Sequence, residues 1–214
     1  MKWVTKLVAV VARRVYVVFE LPLEWRAPSL AAPDQPACRP VCADESIIQA
    51  LFREDLDRAQ RFLAFLADGY IGAFHVCGEQ WASYAWMAVP GTRRPPHLPS
   101  RDVPQQAYWI HFCRTADQFQ GRGLYKRSLV MLAQRARQQD PSGRVLIDAD
   151  SGNVAARKAM LAVGFEPRGV ISTQCLGIPR VTTFVRGSWR VEAAHPAIPV
   201  PTAAAGRAAE ETLT

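Results

Sequence analysis

A pair of glycines between an apolar strand and an amphipathic helix constrains the fold of this chain more than any other feature. Residues 106–115 predict an apolar, aromatic strand, and residues 124–138 predict a helix. Gly121 and Gly123 in the polar turn between them let a phosphate group approach backbone N–H groups, which point outward together at the positive end of the helix dipole. Because three cations also lie nearby, the turn predicts a pyrophosphate site; they are Arg122, Lys126 and Arg127.

The residues around this turn exclude two common phosphate-binding motifs. No Gly-Lys-Ser/Thr follows, so the turn is not a P-loop. Gly121-Arg122-Gly123 lacks a third glycine three residues on, and it comes in mid-chain after a hairpin, so it is not a dinucleotide fingerprint. An ordinary strand-to-helix turn without a ligand is the structural alternative.

The other elements are predicted from periodicity and from turn residues. Their order predicts an α/β fold with a mixed sheet, antiparallel first and parallel in the middle. They are a strand at 15–21, a Pro-rich loop at 22–37, a short strand at 38–42, a helix after the N-cap Asp44, a helix at 55–67, hairpin strands at 70–77 and 80–89, a long Pro-rich loop at 90–104, a strand at 145–149, a helix at 153–163, and strands at 165–176 and 180–185.

Composition and charge exclude several classes of protein. Of the 214 residues, 49% are hydrophobic and 21% are charged, which excludes wholesale disorder, collagen-like repeats and a coiled-coil rod. The net charge is +7, and it resides in the body of the chain because residues 190–214 are slightly acidic. These cations are not interleaved with aromatic residues in a known module, so we expect no nucleic-acid partner.

The two ends of the chain are predicted to lie outside the main domain at 15–189. Residues 1–14 predict an amphipathic helix, with Lys2 and Lys6 on one side and Trp3 and Leu7 on the other. Two alternatives remain open for this helix: contact with a membrane surface, or packing on its own domain. Residues 190–214 are rich in Ala and Pro and predict a mobile tail.

The cysteines indicate a cellular compartment rather than a site. They are odd in number and scattered, without the spacing of a zinc site, so we expect no metal and no disulfide framework. They are Cys38, Cys42, Cys77, Cys113 and Cys175. Reduced, mostly buried thiols indicate a cytoplasmic protein, at the inner face of the membrane if the N-terminal helix binds there.

A second motif thirty residues after the turn completes a family pattern. Phe119-Gln120-Gly121-Arg122-Gly123-Leu124 and the later Asn153, Ala156, Gly164 and Phe165 together resemble the GNAT superfamily of acetyl-CoA-dependent N-acetyltransferases. The close match spans 108–165, and the order of elements agrees from about 38 to 187. Two residues depart from the pattern: Tyr125 replaces a small residue, and Met160 replaces the tyrosine that protonates the departing thiolate. The Gly-x-Gly-Leu-Tyr run looks like the version in bacterial members that modify envelope sugars.

The resemblance implies a fold, a co-substrate and the residues that bind it. The fold would be a centrally splayed sheet of six to seven strands flanked by helices. Acetyl-CoA would be the donor and no metal would take part. The cofactor-binding residues implied are Cys113, Thr115, Gln120, Gly121, Arg122, Gly123, Leu124, Tyr125 and Asn153. Cys113 and Thr115 would offer main-chain groups to the pantetheine arm.

The resemblance also implies a general base, for which His111 is preferred. Alternation along the strand predicts that Trp109, His111, Cys113 and Thr115 share one face, and some arylalkylamine acetyltransferases carry a catalytic histidine at that offset. The alternatives are Asp148 or Glu79 as base, Tyr125 or Tyr108 as acid, and Cys113 as an acyl-bearing nucleophile.

Three functions remain open on this evidence. The first is N-acetylation of a small primary amine, such as an amino sugar or a nucleotide sugar, since the basic body and the Arg93-Arg94 loop favour an acidic or phosphate-bearing acceptor. The second is N-acetylation of a protein or peptide. The third is a catalytically idle module that binds coenzyme A. The oligomeric state is also open, with a homodimer among the options.

Overall fold

The computed structural model describes residues 11–30, 38–95, 97–99, 102–178 and 181–191, whose strands form one mixed sheet. The strands are β1 (Val11–Glu20), β2 (Arg39–Cys42), β3 (Ile71–Cys77), β4 (Gln80–Ala88), β5 (Tyr108–Thr115), β6 (Val145–Asp150), β7 (Glu166–Ile178) and β8 (Val181–Arg190). The helices are α1 (Glu45–Leu51), α2 (Leu56–Ala67), α3 (Leu124–Gln139) and α4 (Val154–Val163), with a 3-10 turn at Asp117–Phe119. The sheet has eight strands in the described residues, one more than the upper prediction.

The strand order confirms the predicted α/β architecture and adds one placement that the sequence did not indicate. The order is β2-β3-β4-β5-β6-β1-β7-β8. The β5–β6 pair is parallel, and the other pairs among the described strands are antiparallel. The first strand, β1, lies in the middle, antiparallel to both β6 and β7.

The position of β1 corrects the predicted N-terminal helix at 1–14. Residues 11–14 belong to β1, where Val11 pairs with Leu176 and Arg14 pairs with Thr173. The β-branched and aromatic run Val15-Tyr16-Val17-Val18-Phe19 favours a strand, and pairing with β7 extends that strand to Val11. Residues 1–10 lie outside the described part of the chain, as do residues 192–214 of the predicted tail, whose first residue, Arg190, instead belongs to β8.

The sheet is covered on both faces by apolar side chains from the helices. One face packs against α1 and α2 through aromatic residues such as Phe52, Phe62 and Trp86. The other face packs against α3 and α4 through smaller residues such as Leu129 and Ala133. Burial of the larger of these side chains contributes roughly 1.5–3 kcal/mol each, and the core forms one cluster on each face of the sheet.

Each helix begins where the sequence supplies a capping residue or a glycine. Asp44 and Asp55 accept hydrogen bonds from the backbone N–H groups of Ile47 and Arg58, and so begin α1 and α2. Gly164 ends α4 in the left-handed conformation, as its place after the apolar stripe predicts. These local signals explain why the predicted element bounds agree with the structure to within a few residues.

The cysteines differ from the expectation of reduced, buried thiols. A disulfide joins Cys38 to Cys77, which flank the paired residues Arg39 and Val76 on β2 and β3. The sequence separation of 39 residues hid this proximity, which arises only when the two strands pair. Cys42 is exposed rather than buried. Within the described residues, no helix has the length and apolar character needed to cross a membrane.

Candidate functional site

A cleft of about 780 Å³ opens where β5 and β6 separate. The two strands pair from Tyr108–Val145 to Ile110–Ile147, and beyond those residues their directions diverge. From there β5 stays paired with β4, and β6 stays paired with β1. The facing main-chain edges therefore lack strand partners in the described part of the sheet, which is a costly arrangement unless a ligand or water satisfies them.

The outer end of the cleft is the glycine turn, residues 120–123. Gly121 and Gly123 have φ values of 77° and 71°, and Gly123 is the N-cap of α3. A Cβ built on Gly121 would meet no described atom within 4 Å. No side chain of the described residues caps α3, so its first-turn N–H groups are available to a ligand. Lys126 also lines the cleft here.

A β-bulge in β5 corrects the predicted alternation of its side chains. Tyr84 pairs with Arg114 and Trp86 pairs with His111, so β5 contains one residue more than β4 over this stretch. Phe112 absorbs the extra residue with φ 50°. His111 packs with Phe65 and Tyr70 on the α2 side, whereas Cys113 packs on the α3 side. Trp109 and His111 therefore do not share a face with Cys113 and Thr115.

The inner end of the cleft contains a hydrogen-bonded cluster centred on Asp148. Its Oδ1 accepts from Trp109 Nε1 at 2.6 Å, and its Oδ2 lies 3.0 Å from His97 Nε2. The Asp148 side chain is 6% exposed and that of His97 is 29% exposed. Two N–H groups thus compensate a nearly buried carboxylate, while one imidazole stays accessible from the cleft.

His111 lies beside this cluster in a different environment. It is 7% exposed, and its Nε2 has no hydrogen-bond partner among the described residues. Burial, followed by the nearby His97, lowers the pKa of His111 to about 3, although Asp148 acts in the opposite direction. His111 is therefore neutral at neutral pH, with a polar atom at the cleft wall.

Solved structures share this arrangement of strands and helices. A GNAT-family protein from Novosphingobium aromaticivorans aligns with a TM-score of 0.52 at 14% identity, over 76% of this chain and 64% of that one. A GNAT-family acetyltransferase from Colwellia psychrerythraea aligns with a TM-score of 0.53 at 12% identity, over 77% of this chain and 57% of that one. The chain has the GNAT fold. It spans somewhat more than half of the length of these two structures, and no protein-family model and no curated protein matches its sequence.

The GNAT fold gives Cys113, Tyr125 and Met160 defined places in the cleft, all on the α3 and α4 side. Burial, followed by the charge of Asp148, raises the pKa of the Cys113 thiol to about 12, which makes it a poor nucleophile. Burial also raises the pKa of Tyr125 well above its ordinary value, so its hydroxyl remains a hydrogen-bond donor. Met160 is 1% exposed and supplies no proton.

The cleft brings together the predicted cofactor-binding residues except Arg122, and the predicted catalytic residues His111, Asp148 and Tyr125, whereas the alternatives Glu79 and Tyr108 do not line it. The residues that line it are His111, Cys113, Thr115, Gln120, Gly121, Gly123, Leu124, Tyr125, Asp148 and Asn153. The Arg122 guanidinium instead lies over the Phe119 ring and donates to the Gln118 carbonyl. The Asn153 side chain caps α4 by accepting from the Ala156 N–H, so its oxygen is already engaged.

Sequence reasoning missed the cleft residues contributed by remote segments. His97 comes from the loop at 90–104, and Arg14 and Tyr16 come from β1. The sequence signal for His97 was a histidine in a long loop between two core strands. Nothing in the sequence placed β1 beside β6.

A second groove, of about 880 Å³, is larger than the cleft but has fewer features of an active site. It lies beside the β3–β4 turn and the C-terminal end of β5 and includes Arg53, Glu79 and Asp117, with the alternative base Glu79 exposed in a hairpin turn. Its charges are mixed in sign. None of the buried unpartnered side-chain atoms in the described residues lies in it. The cleft between β5 and β6 is therefore the candidate active site.

Proposed function

We propose that the protein transfers an acetyl group from acetyl-CoA directly to a primary amine of a small molecule. The observation that carries this proposal is the unpaired edge of β5, which leads from the inner cluster to the glycine turn within one cleft. From His111 to Thr115 this edge extends about 13 Å, at ~3.3 Å per residue. An extended ligand with amide groups along its length and a phosphate group at one end matches this edge.

The residues present fit coenzyme A at both parts of this path. At the outer end, the open space beside Gly121 and the uncapped N-terminus of α3 would accept the pyrophosphate. Along β5, main-chain groups of Cys113 and Thr115 would pair with the pantetheine amides, in the manner of an added strand. Lys126 adds a positive charge near the phosphate groups.

Acetyl-CoA supplies the thioester acetyl group, and the cleft has to manage the charges of the transfer. The amine nitrogen forms a C–N bond as the C–S bond breaks, one proton leaves the nitrogen, and coenzyme A departs as a thiolate. A β5 backbone N–H near Cys113 would donate to the acetyl oxygen as negative charge develops on it. The Tyr125 hydroxyl would donate to the thiolate, which is a good leaving group because a thiol has a pKa of ~8.5.

The acceptor is proposed to be a small amine, with amino sugars and nucleotide sugars as the first class to test. The accessible inner end of the cleft carries Asp148 and His97, which suit an amine, while Arg14 at the cleft wall suits an acidic or phosphate group on the same acceptor. A cationic peptide meets less favourable electrostatics there.

Titration calorimetry with the full chain tests binding, and release of coenzyme A tests transfer. We expect coenzyme A and acetyl-CoA to bind, and thiol release to depend on an added amine. The acceptor probes are glucosamine, tyramine and a lysine-containing tripeptide. Absence of coenzyme A binding at millimolar concentration would contradict the proposal. Binding without acetylation of any probe would favour the idle-module alternative.

A further inference from the structure

We propose that His97, held by Asp148, accepts the proton of the attacking amine, and that Trp109 positions Asp148. This inference rests on the proposed transferase function. It assigns the proton acceptor to a loop histidine, whereas the sequence favoured His111 on the neighbouring strand.

The hydrogen bonds of Asp148 determine which ring nitrogen of His97 carries a hydrogen and which can accept a proton. An ionised carboxylate only accepts, and Trp109 Nε1 only donates, so Oδ1 is occupied by the indole. The remaining oxygen, Oδ2, lies 3.0 Å from His97 Nε2, which must therefore carry a hydrogen. In neutral His97 the lone pair then resides on Nδ1, the atom able to accept a proton.

Packing around His97 supports this orientation from several elements. Its ring centroid lies 5.1 Å from that of Tyr16 on β1, and its neighbours Leu98 and Val103 are buried. Asp102 in the same loop accepts a hydrogen bond from the Trp189 N–H on β8. These contacts hold His97 and Asp102 against the sheet, which limits the positions that the imidazole can take.

The environment of His111 argues against the same role for that residue. The ring centroids of Phe65 and Tyr70 lie 5.4 and 5.2 Å from that of His111. No carboxylate among the described residues forms a hydrogen bond with His111. A protonated imidazole there would be buried without a directly hydrogen-bonded counterion, and His97 protonation would repel it further. Asp148 instead offers His97 a direct anionic partner once the proton arrives.

The step balances within the cleft. The amine proton moves to His97 Nδ1 as the nitrogen attacks the acetyl carbon, and the resulting imidazolium is paired with the Asp148 carboxylate. The C–S electrons leave with the sulfur of coenzyme A. His97 then returns its proton to water, so no oxidant or further reactant is required.

The test compares His97→Gln, Asp148→Asn and Trp109→Phe with the parent chain in the thiol-release assay, using glucosamine, tyramine and the tripeptide. We expect kcat to fall about 100-fold or more in His97→Gln, which retains an N–H for Asp148 but cannot take up a proton. Asp148→Asn should fall by a similar factor because the tautomer is no longer held. Trp109→Phe should fall about tenfold. In His97→Gln the acidic limb of the kcat–pH profile should also disappear.

Controls separate chemistry from folding. Asp57→Asn makes the same carboxylate-to-amide change at an exposed position in the first turn of α2, outside the cleft, and should retain kcat. Each variant should bind coenzyme A as the parent does, since these side chains lie at the opposite end from the glycine turn. Nitrogen NMR of the histidine rings should place the His97 proton on Nε2 in the parent chain and as a mixture in Asp148→Asn.

The outcomes are distinguishable. Parent-like kcat in His97→Gln, or a His97 proton resident on Nδ1, would overturn the assignment while leaving the transferase function standing. Failure of the parent chain to acetylate any probe would overturn the transferase function, and this assignment with it. Loss of kcat in His111→Gln alone would return the role to the strand histidine.

Discussion

The two ends of the cleft would hold their ligands by different means. At the outer end, the space beside Gly121 is open, no described side chain caps α3, and the Arg122 guanidinium lies over the Phe119 ring rather than in the cleft. At the inner end, the polar atoms belong to side chains from separate segments, namely His97, His111 and Asp148. The outer end should therefore tolerate most side-chain changes but no Cβ on Gly121. The inner end should be sensitive to every polar side chain.

Lowering the pH should reduce the free energy of unfolding, and His111 at the inner end should contribute most to this loss. The pKa of His111 is lowered to about 3 and that of buried His75 to about 4, both mainly by burial. Below pH 6.5 the two histidines take up protons in the unfolded chain but not in the native chain. Their contribution to the free energy of unfolding is therefore fully present above pH 6.5 and is lost as pH falls toward 4. The slope should be roughly 2–3 kcal/mol per pH unit near pH 5.

Denaturant unfolding at pH 7, 5.5 and 4.5 measures this loss, which should reach about 5 kcal/mol. His111→Phe should halve the slope near pH 5, because His75, which is hydrogen-bonded to Ser128, still contributes its own proton. An unchanged slope in His111→Phe would mean that His111 is protonated in the native protein.

The disulfide provides a reference region outside both ends of the cleft. Replacing Cys38 and Cys77 with serine should lower the free energy of unfolding by about 3 kcal/mol, because the unfolded chain loses a closed loop of 39 residues. Coenzyme A affinity should not change. Cys42→Ser, at an exposed free thiol of the same strand, is the matched control and should unfold like the parent chain.

A side chain at the glycine turn should act on binding far more than on folding. Gly121→Val should weaken coenzyme A binding about 100-fold in calorimetry, since its β-carbon would fill the space that the phosphate groups need. Gly78→Val is matched to it: Gly78 also has positive φ and open surroundings, but lies in the β3–β4 turn. Both should lose about 1–2 kcal/mol of stability through backbone strain. Equal affinities in the two variants would argue against a ligand at the turn.

The Tyr125 hydroxyl should have the smallest effect of these changes. Tyr125→Phe should lower kcat about tenfold, or about 1.4 kcal/mol, because a thiolate departs readily even without a donor. Its coenzyme A affinity should stay within a factor of two or three of the parent value. A parent-like kcat would show that proton donation to sulfur is not limiting.

The same contrast explains which parts of the molecule could be predicted from sequence. Gly121 and Gly123 predict the outer end because a site built from backbone groups is formed by neighbouring residues in the sequence. Capping residues such as Asp44 predict where the helices begin for the same reason. Asp148 lies 51 residues from His97 and 39 from Trp109, so only the folded sheet brings the three together. The prediction that His111 shares a face of β5 with Cys113 is wrong because of the bulge at Phe112, since one extra residue reverses the alternation of side chains beyond it.

The central position of β1 has a consequence for how the molecule assembles. Its partners on either side, β6 and β7, lie more than 120 residues later in the chain. During synthesis β1 therefore has no strand partner until the last third of the protein has been made. Sheets that depend on pairing between such distant segments form slowly. Because Tyr16 of this strand supports His97, the acceptor end of the cleft should be among the last parts to mature.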